Sequence, residues 1–143
     1  MSETFKWCKD KTRLYIWDKQ AFVIDQYGNK WWCLNGKKHR LNGPAIELVD
    51  GNKAWCFNGQ LHRENGPAVE HANGDRFWYL NGELHRLDGP AAAEYVNGHK
   101  EWYLYGEPHR ENGPAVEFSN GCKLWYLHGL CFTKSEYWKE LKE

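Results

Sequence analysis

Residues 55–78 read Trp55-Cys56-Phe57-Asn58-Gly59-Gln60-Leu61-His62-Arg63-Glu64-Asn65-Gly66-Pro67-Ala68-Val69-Glu70-His71-Ala72-Asn73-Gly74-Asp75-Arg76-Phe77-Trp78. Two Asn-Gly turns and one Gly-Pro break divide this stretch into short runs rich in aromatic and β-branched residues. Asn-Gly suits a two-residue hairpin because Gly and Asn tolerate positive φ. Gly-Pro cannot lie inside a central strand, since proline has no N–H for the ladder. The stretch therefore predicts a strand after Gly-Pro-Ala, a tight turn, a longer aromatic strand, a second tight turn, and a short return carrying His62-Arg63.

The same wording recurs on both sides. His-Arg stands at 39–40, 62–63, 85–86 and 109–110, at spacings of 23, 23 and 24. Gly43-Pro44-Ala45, Gly66-Pro67-Ala68, Gly89-Pro90-Ala91 and Gly113-Pro114-Ala115 each follow three residues after the Arg. Trp32, Trp55, Trp78 and Trp102 open the aromatic strands, and Trp125-Tyr126-Leu127-His128-Gly129 closes the array. A second turn falls at Asp50-Gly51, Asn73-Gly74, Asn97-Gly98 and Asn120-Gly121. The chain is a tandem repeat of about 23 residues. The one extra residue between Pro90 and Asn97 predicts a β-bulge. A single unit cannot bury enough surface to offset its ordering entropy, so stability must come from units stacking on their neighbours.

The expected fold is all-β: an elongated antiparallel meander of hairpin repeats forming one domain over 1–143. Residues 1–30 form a degraded N-terminal cap, in which Trp7-Cys8 reads as the remnant of an aromatic strand; residues 31–132 carry the repeats. Thr133-Lys134-Ser135-Glu136 has the pattern of a capping box, so 133–143 should be a short helix covering the last strand edge.

Counting outward from two-residue turns pairs Ile46 with Trp55, Val69 with Trp78, Ala93 with Trp102, Val116 with Trp125 and Val23 with Trp32. Trp32, Trp55, Trp78 and Trp102 also face His39, His62, His85 and His109, and Phe132 takes the His place beside Trp125. One face should then hold a structural Trp–His–aliphatic row, with each His stacked on a Trp. Alternation puts Arg40, Arg63, Arg86 and Arg110 on the other face with Glu47, Glu70, Glu94 and Glu117, joined by Tyr79, Tyr103 and Tyr126. That Arg–Glu–Tyr face is the expected binding surface. Arg63 or Arg86 substitutions should cost a partner, and His62 or His85 substitutions should cost stability.

Composition narrows the function. Nineteen basic residues balance nineteen acidic ones, which argues against long nucleic acid as the partner. Apolar stretches are too short for a membrane-spanning helix. The first residues lack a signal-peptide core, so a cytoplasmic protein is expected. Cysteines at 8, 33, 56, 122 and 131 form no CxxC pair and read as free thiols, with Cys33 and Cys56 held apart by several strands. Successive His residues should lie about 10 Å apart at ~4.8 Å per strand. That is too far to converge on a metal, whose ligands sit about 2 Å from the ion. No metal, cofactor or catalytic residue is expected, and the protein is read as non-enzymatic.

Gly-x-x-His-Arg-x-x-Gly-Pro-Ala, followed by Asn-Gly and Trp-Tyr-Leu-Asn-Gly, resembles a variant of the MORN repeat over roughly residues 21 to 132. The His-Arg-x-x-Gly-Pro-Ala form is similar to repeat proteins of large bacteriophages and giant viruses. The resemblance implies a single-layer twisted sheet that binds partners without catalysis. For a phage-encoded chain it implies a factor that blocks a host defence protein in the host cytoplasm. Two alternatives stay open: a sponge for a nucleotide-derived small molecule, and a scaffold that self-assembles as a homo-oligomer.

Overall fold

The computed structural model describes residues 4–7, 13–17, 19–87 and 93–142. The expected all-β meander is present. Four N-terminal strands, β1 (Thr4–Trp7), β2 (Arg13–Trp17), β3 (Gln20–Ile24) and β4 (Lys30–Leu34), pair in chain order. The antiparallel ladder then continues through two-residue strands, Ile46–Glu47, Lys53–Ala54, Val69–Glu70, Arg76–Phe77, Ala93–Glu94, Lys100–Glu101 and Val116–Glu117, to Lys123–Leu127 and Leu130–Phe132. Trp7 ends the first strand; Cys8 lies outside the described residues.

The three middle aromatic strands are interrupted at Trp55, Trp78 and Trp102 instead of running through, whereas Lys30–Leu34 and Lys123–Leu127 are continuous. Trp55 gives its N–H to Ala68 O at 2.7 Å, while its carbonyl accepts His62 N at 3.0 Å. Its two backbone groups thus serve two neighbours, one in the long ladder and one in a side hairpin. The side hairpins pair Cys56–Phe57 with Gln60–Leu61, Tyr79–Leu80 with Glu83–Leu84, and Tyr103–Leu104 with Glu107–Pro108. They are joined in a row by Gly59 N to Lys38 O, Gly82 N to Leu61 O, Gly106 N to Leu84 O and Gly129 N to Pro108 O. Every repeat therefore adds two strands to the ladder and two to the side row.

The side-hairpin turns are the expected two-residue type. Asn35, Asn58 and Asn81 sit at φ 51°, 49° and 51°, and Tyr105 and His128 adopt the same left-handed conformation. The ladder turns are not. Val69 pairs with Phe77, Ile46 with Ala54, Ala93 with Glu101, Val116 with Leu124 and Val23 with Trp31. Each is one residue short of the Trp that counting from a two-residue turn had assigned. The loop holds three residues, Ala72-Asn73-Gly74, closed by Gly74 N to His71 O at 2.9 Å and His71 N to Asp75 O at 2.9 Å. Only its Gly is left-handed, at φ 99°. A type I turn with a following αL glycine gives this geometry.

A slip of one residue exchanges the two faces. Val23, Trp31, Ile46, Ala54, Val69, Phe77, Ala93, Val116 and Leu124 share one side, and Trp32, Trp55, Trp78 and Trp102 lie on the other with Glu47 and Glu70. The expected Trp–aliphatic row is thereby corrected.

The expected bulge falls within residues 88–92, outside the described residues. From Ala93 onward that copy keeps the register of the others.

The C-terminal helix α1 (Lys134–Glu140) begins as its sequence indicated. Thr133 accepts from Glu136 N, and the Glu136 carboxylate accepts from Thr133 N at 2.9 Å. Tyr137, fully buried, docks the helix: its hydroxyl donates to Arg110 O and accepts from Gly113 N at 3.3 Å. Few side chains are deeply buried, namely Ala45, Cys56, Ala68, Ala93, Ala115, Val116, Leu127 and Tyr137 among the apolar described residues. A single-layer sheet has no second layer to cover it, so inter-repeat contacts must hold it together.

Candidate binding face

The Arg side chains do not stand on a separate face. Arg40, Arg63, Arg86 and Arg110 lie flat over Trp32, Trp55, Trp78 and Trp102, guanidinium carbon to ring centroid 3.7, 3.9, 4.0 and 3.8 Å. Strand alternation does not extend to these residues, because residues 39–44 leave the ladder and the chain folds Arg40 back over the ring. The Glu row expected to share a face with the Arg row does meet it. Arg40–Glu47, Arg63–Glu70, Arg86–Glu94 and Arg110–Glu117 all meet at 3.1 Å. Arg63 also donates to Pro67 O at 3.0 Å, with the same bond from Arg40 to Pro44 and from Arg110 to Pro114. Gly66, at φ 143°, lets the backbone pass beneath: a Cβ there would meet the Arg63 guanidinium carbon at 3.0 Å. Gly-Pro is thus a seat for the Arg clamp as well as a strand break. In the last copy Lys134 Nζ stands 5.8 Å from the Trp125 ring in place of an Arg.

The His side chains are latches between repeats. His39, His62, His85 and His109 face their Trp through the backbone, as expected. Their rings, however, turn to the next side hairpin. His39 Nδ1 accepts Asn58 N at 3.1 Å, His62 accepts Asn81 N at 3.1 Å, His85 accepts Tyr105 N at 3.2 Å and His109 accepts His128 N at 3.0 Å. Three rings lie against that next turn, His39 on Phe57 at 4.7 Å, His85 on Tyr105 at 4.2 Å and His109 on His128 at 4.2 Å. No His–Trp stack occurs among the described residues. Burial, then the neighbouring His128, pushes His109 below the ordinary histidine range.

A second set of latches, which the sequence reading missed, runs along the opposite edge. Asn29 accepts Val49 N at 2.9 Å, Asn52 accepts Ala72 N at 2.8 Å and Asp75 accepts Val96 N at 2.8 Å. The signal was an amide or carboxylate directly after the turn glycine, in Gly28-Asn29, Gly51-Asn52 and Gly74-Asp75.

Tyr79, Tyr103 and Tyr126 follow Trp residues in the chain and leave the Arg face. Tyr79 pairs with Leu84, Tyr103 with Pro108 and Tyr126 with Cys131. Tyr103 donates to Glu101 at 2.8 Å, and His99 Nε2 lies 2.5 Å from the other Glu101 oxygen. Burial and this bond raise the Tyr103 hydroxyl above its usual range. Glu101 occupies a ladder place that is apolar in other repeats, opposite Ala93 and Val116. Cys33, Cys56, Cys122 and Cys131 are free. A single strand, Lys37–Lys38, separates Cys33 from Cys56, fewer than expected, and burial raises the Cys56 thiol.

With Trp, Arg and Glu locked together, the open features are the loops between His-Arg and Gly-Pro. Arg40-Leu41-Asn42 and Arg63-Glu64-Asn65 stand as walls. Between them lies a groove of about 820 Å³, lined by Trp55, Phe57 and His62 among others. A second furrow, over Trp32 and Leu34, shares the Leu41-Asn42 wall. A third, over Trp78 and Leu80, shares the Glu64-Asn65 wall. Leu41 and Leu87 on the walls are 76% and 74% exposed. Among the described residues no group of three or more His, Cys, Asp and Glu is placed to hold a metal ion. No helix of the described residues is long and apolar enough to cross a membrane. The chain matches no protein-family model and no curated protein.

Proposed function

We propose that the chain is a non-enzymatic, MORN-like repeat module that binds and blocks a protein partner, as a phage-encoded anti-defence factor would in the host cytoplasm. The observation that carries this is the row of three furrows with shared walls. Leu41 and Leu87 project apolar surface into solvent, and Phe57 is 42% exposed. Exposed apolar groups gathered along one row mark an interaction site more than scattered ones do. The four repeated His residues are taken up by latches, which supports a binding role. Free thiols fit a reducing compartment.

The test is capture from host lysate with the intact chain and with Leu41→Lys and Leu87→Lys variants. A partner retained by the first and lost by the variants, at unchanged melting temperature, supports the reading. Equal capture by all three would remove it.

The groove volume favours one second reading, sequestration of a nucleotide-derived molecule. About 820 Å³ lies within the range of small-ligand sites, and Trp55 and Arg63 are suitable stacking groups. Mass spectrometry of the purified protein would show a retained nucleotide. Self-assembly as a scaffold predicts a concentration-dependent mass in light scattering.

A further inference from the structure

The furrows repeat at a fixed interval, and that interval selects among ligand shapes. Each unit advances the ladder by two strands, about 9.6 Å at ~4.8 Å per strand. A ligand lying along the array must present one side-chain group to each furrow at this spacing, all on the same side. A polyproline II helix repeats every three residues, about 9.3 Å. Over two intervals it stays within about 1 Å of register. An α-helix offers its same-face positions i and i+7 about 10.5 Å apart and is displaced by about 2 Å over the same span. An extended strand repeats a face about every 6.6 Å; three repeats, about 19.8 Å, span two intervals, but no residue of that face falls on the middle furrow at about 9.6 Å.

Charge and hydrogen bonding point the same way. The Arg guanidiniums lining the central furrow, Arg40 and Arg63, are each paired with a Glu at 3.1 Å. Among the described residues, exposed Glu64 is the one lining charge of that furrow without an ion-pair partner. A phosphate-bearing ligand is disfavoured by that balance, and a neutral segment with a single cation is favoured. Asn42 and Asn65 recur on successive walls, and their side-chain amides make no hydrogen bond within the described protein. An amide standing beside an aromatic floor can donate to a ligand carbonyl, as polyproline recognition requires, because that helix leaves its own carbonyls unpaired.

We infer that the furrow row binds a proline-rich segment of a partner protein in the polyproline II conformation. Its prolines rest on the Trp-floored furrows, its carbonyls accept from Asn42 and Asn65, and a flanking Arg or Lys meets Glu64. The inference rests on the protein-binding reading above and names the chemistry of that partner.

The test uses the full chain and a synthetic proline-rich peptide carrying one Arg, followed by tryptophan fluorescence. Saturable binding is the expected result, abolished when the prolines are replaced by Ala. Asn65→Ala should weaken it by about fivefold, the loss of one net hydrogen bond. Glu64→Lys should weaken the Arg peptide and leave a Gln-containing version unchanged. Both substitutions are at exposed positions, and unchanged thermal melting confirms that the variants fold. No saturable binding, equal binding of the Ala peptide, or an Asn65→Ala variant that binds like the parent would overturn the inference. Panning the chain against random peptides separates the two levels. Enrichment of proline-free peptides that compete at the furrows would overturn the proline reading and leave protein binding standing. A retained nucleotide with no peptide enriched would sink both.

Discussion

His62 Nδ1 accepts the backbone N–H of Asn81, nineteen residues downstream and in the next repeat, at 3.1 Å. This bond is one of several backbone and side-chain bonds that join units whose hydrophobic contact is thin, and it defines the first prediction. His62→Ala should lower stability by about 1 kcal/mol, the usual net value of one hydrogen bond, because water can reach the freed Asn81 N–H. His85 is buried at 8% exposure and packs 4.2 Å from Tyr105. His85→Ala should cost about 2 kcal/mol, adding a packing loss to the bond. Urea denaturation of the two variants would check the order.

The latch at His109 should make stability depend on pH. Its folded-state pKa lies below the ordinary value of 6.5, first through burial and then through His128. Above 6.5 the ring is neutral in both states and stability is full. As pH falls from 6.5 toward the lowered folded value, the unfolded chain takes the proton first and stability is lost. Below the folded value the loss levels off. Glu111 and Glu107 oppose the shift without reversing it. His128→Asn should shrink the acid loss by removing the neighbouring charge. It should also relieve the left-handed backbone at φ 45°, which Asn tolerates better than His. Denaturation midpoints at pH 7.5, 6.0 and 5.0 would show both effects.

Arg63 belongs to the fold before it belongs to any partner. It stacks on Trp55 at 3.9 Å, pairs with Glu70 and bonds Pro67 O. The ion pair is about one-third exposed and contributes little; the stack and the carbonyl bond contribute more. Arg63→Ala should cost about 2 kcal/mol. Arg63→Lys should not rescue it, because an ammonium lacks the flat, forked geometry. Calorimetric melting of both variants would decide whether the earlier expectation, loss of a partner without loss of fold, survives.

Gly66→Ala should behave like a mild version of Arg63→Ala. The new methyl would occupy the guanidinium position at 3.0 Å on a backbone held at φ 143°. A loss of about 1–3 kcal/mol follows from that strain, together with a change in Trp55 fluorescence as the guanidinium lifts away. A near-normal Trp55 signal would mean that the backbone yields first.

The C-terminal helix tests differently. Tyr137→Phe keeps the ring but leaves Gly113 N, in a buried segment, without the hydroxyl. An unsatisfied buried donor costs about 1–3 kcal/mol. Hydrogen exchange should then speed up in the last repeat while the first repeats are unaffected, since solenoid units couple chiefly to their neighbours.

The repeats, the side-hairpin turns, the Arg–Glu pairs and the capping box were all legible in the sequence. The ladder register was not, and the reason is chemical. Asn-Gly stands at both kinds of turn. At Asn58-Gly59 the Asn backbone itself is left-handed. At Asn73-Gly74 the Asn is used for its side chain: Oδ1 accepts Asp75 N at 3.0 Å, and the same local bond forms from Asn52 N to Asp50, from His99 N to Asn97 and from Cys122 N to Asn120. One dipeptide thus serves two turn chemistries, and pattern counting cannot separate them. The furrow walls were missed for another reason. Leu41, Asn42, Glu64 and Asn65 lie in the stretch read only as a spacer, whose role emerges when the Arg before it folds back onto Trp.

Both rows of latches point the same way along the chain. His39, His62, His85 and His109 on one edge, and Asn29, Asn52 and Asp75 on the other, each accept from the unit that follows and never from the one before. The array therefore has a head and a tail that are chemically distinct, like a polymer with a single growth direction. A block running from one Trp to the residue before the next carries one complete plug and one complete socket at each edge. Duplicating or deleting such a block in the gene leaves both seams matched, whereas a cut at another length breaks two edges at once. The array is thus built to lengthen or shorten in whole units without the invention of any new contact.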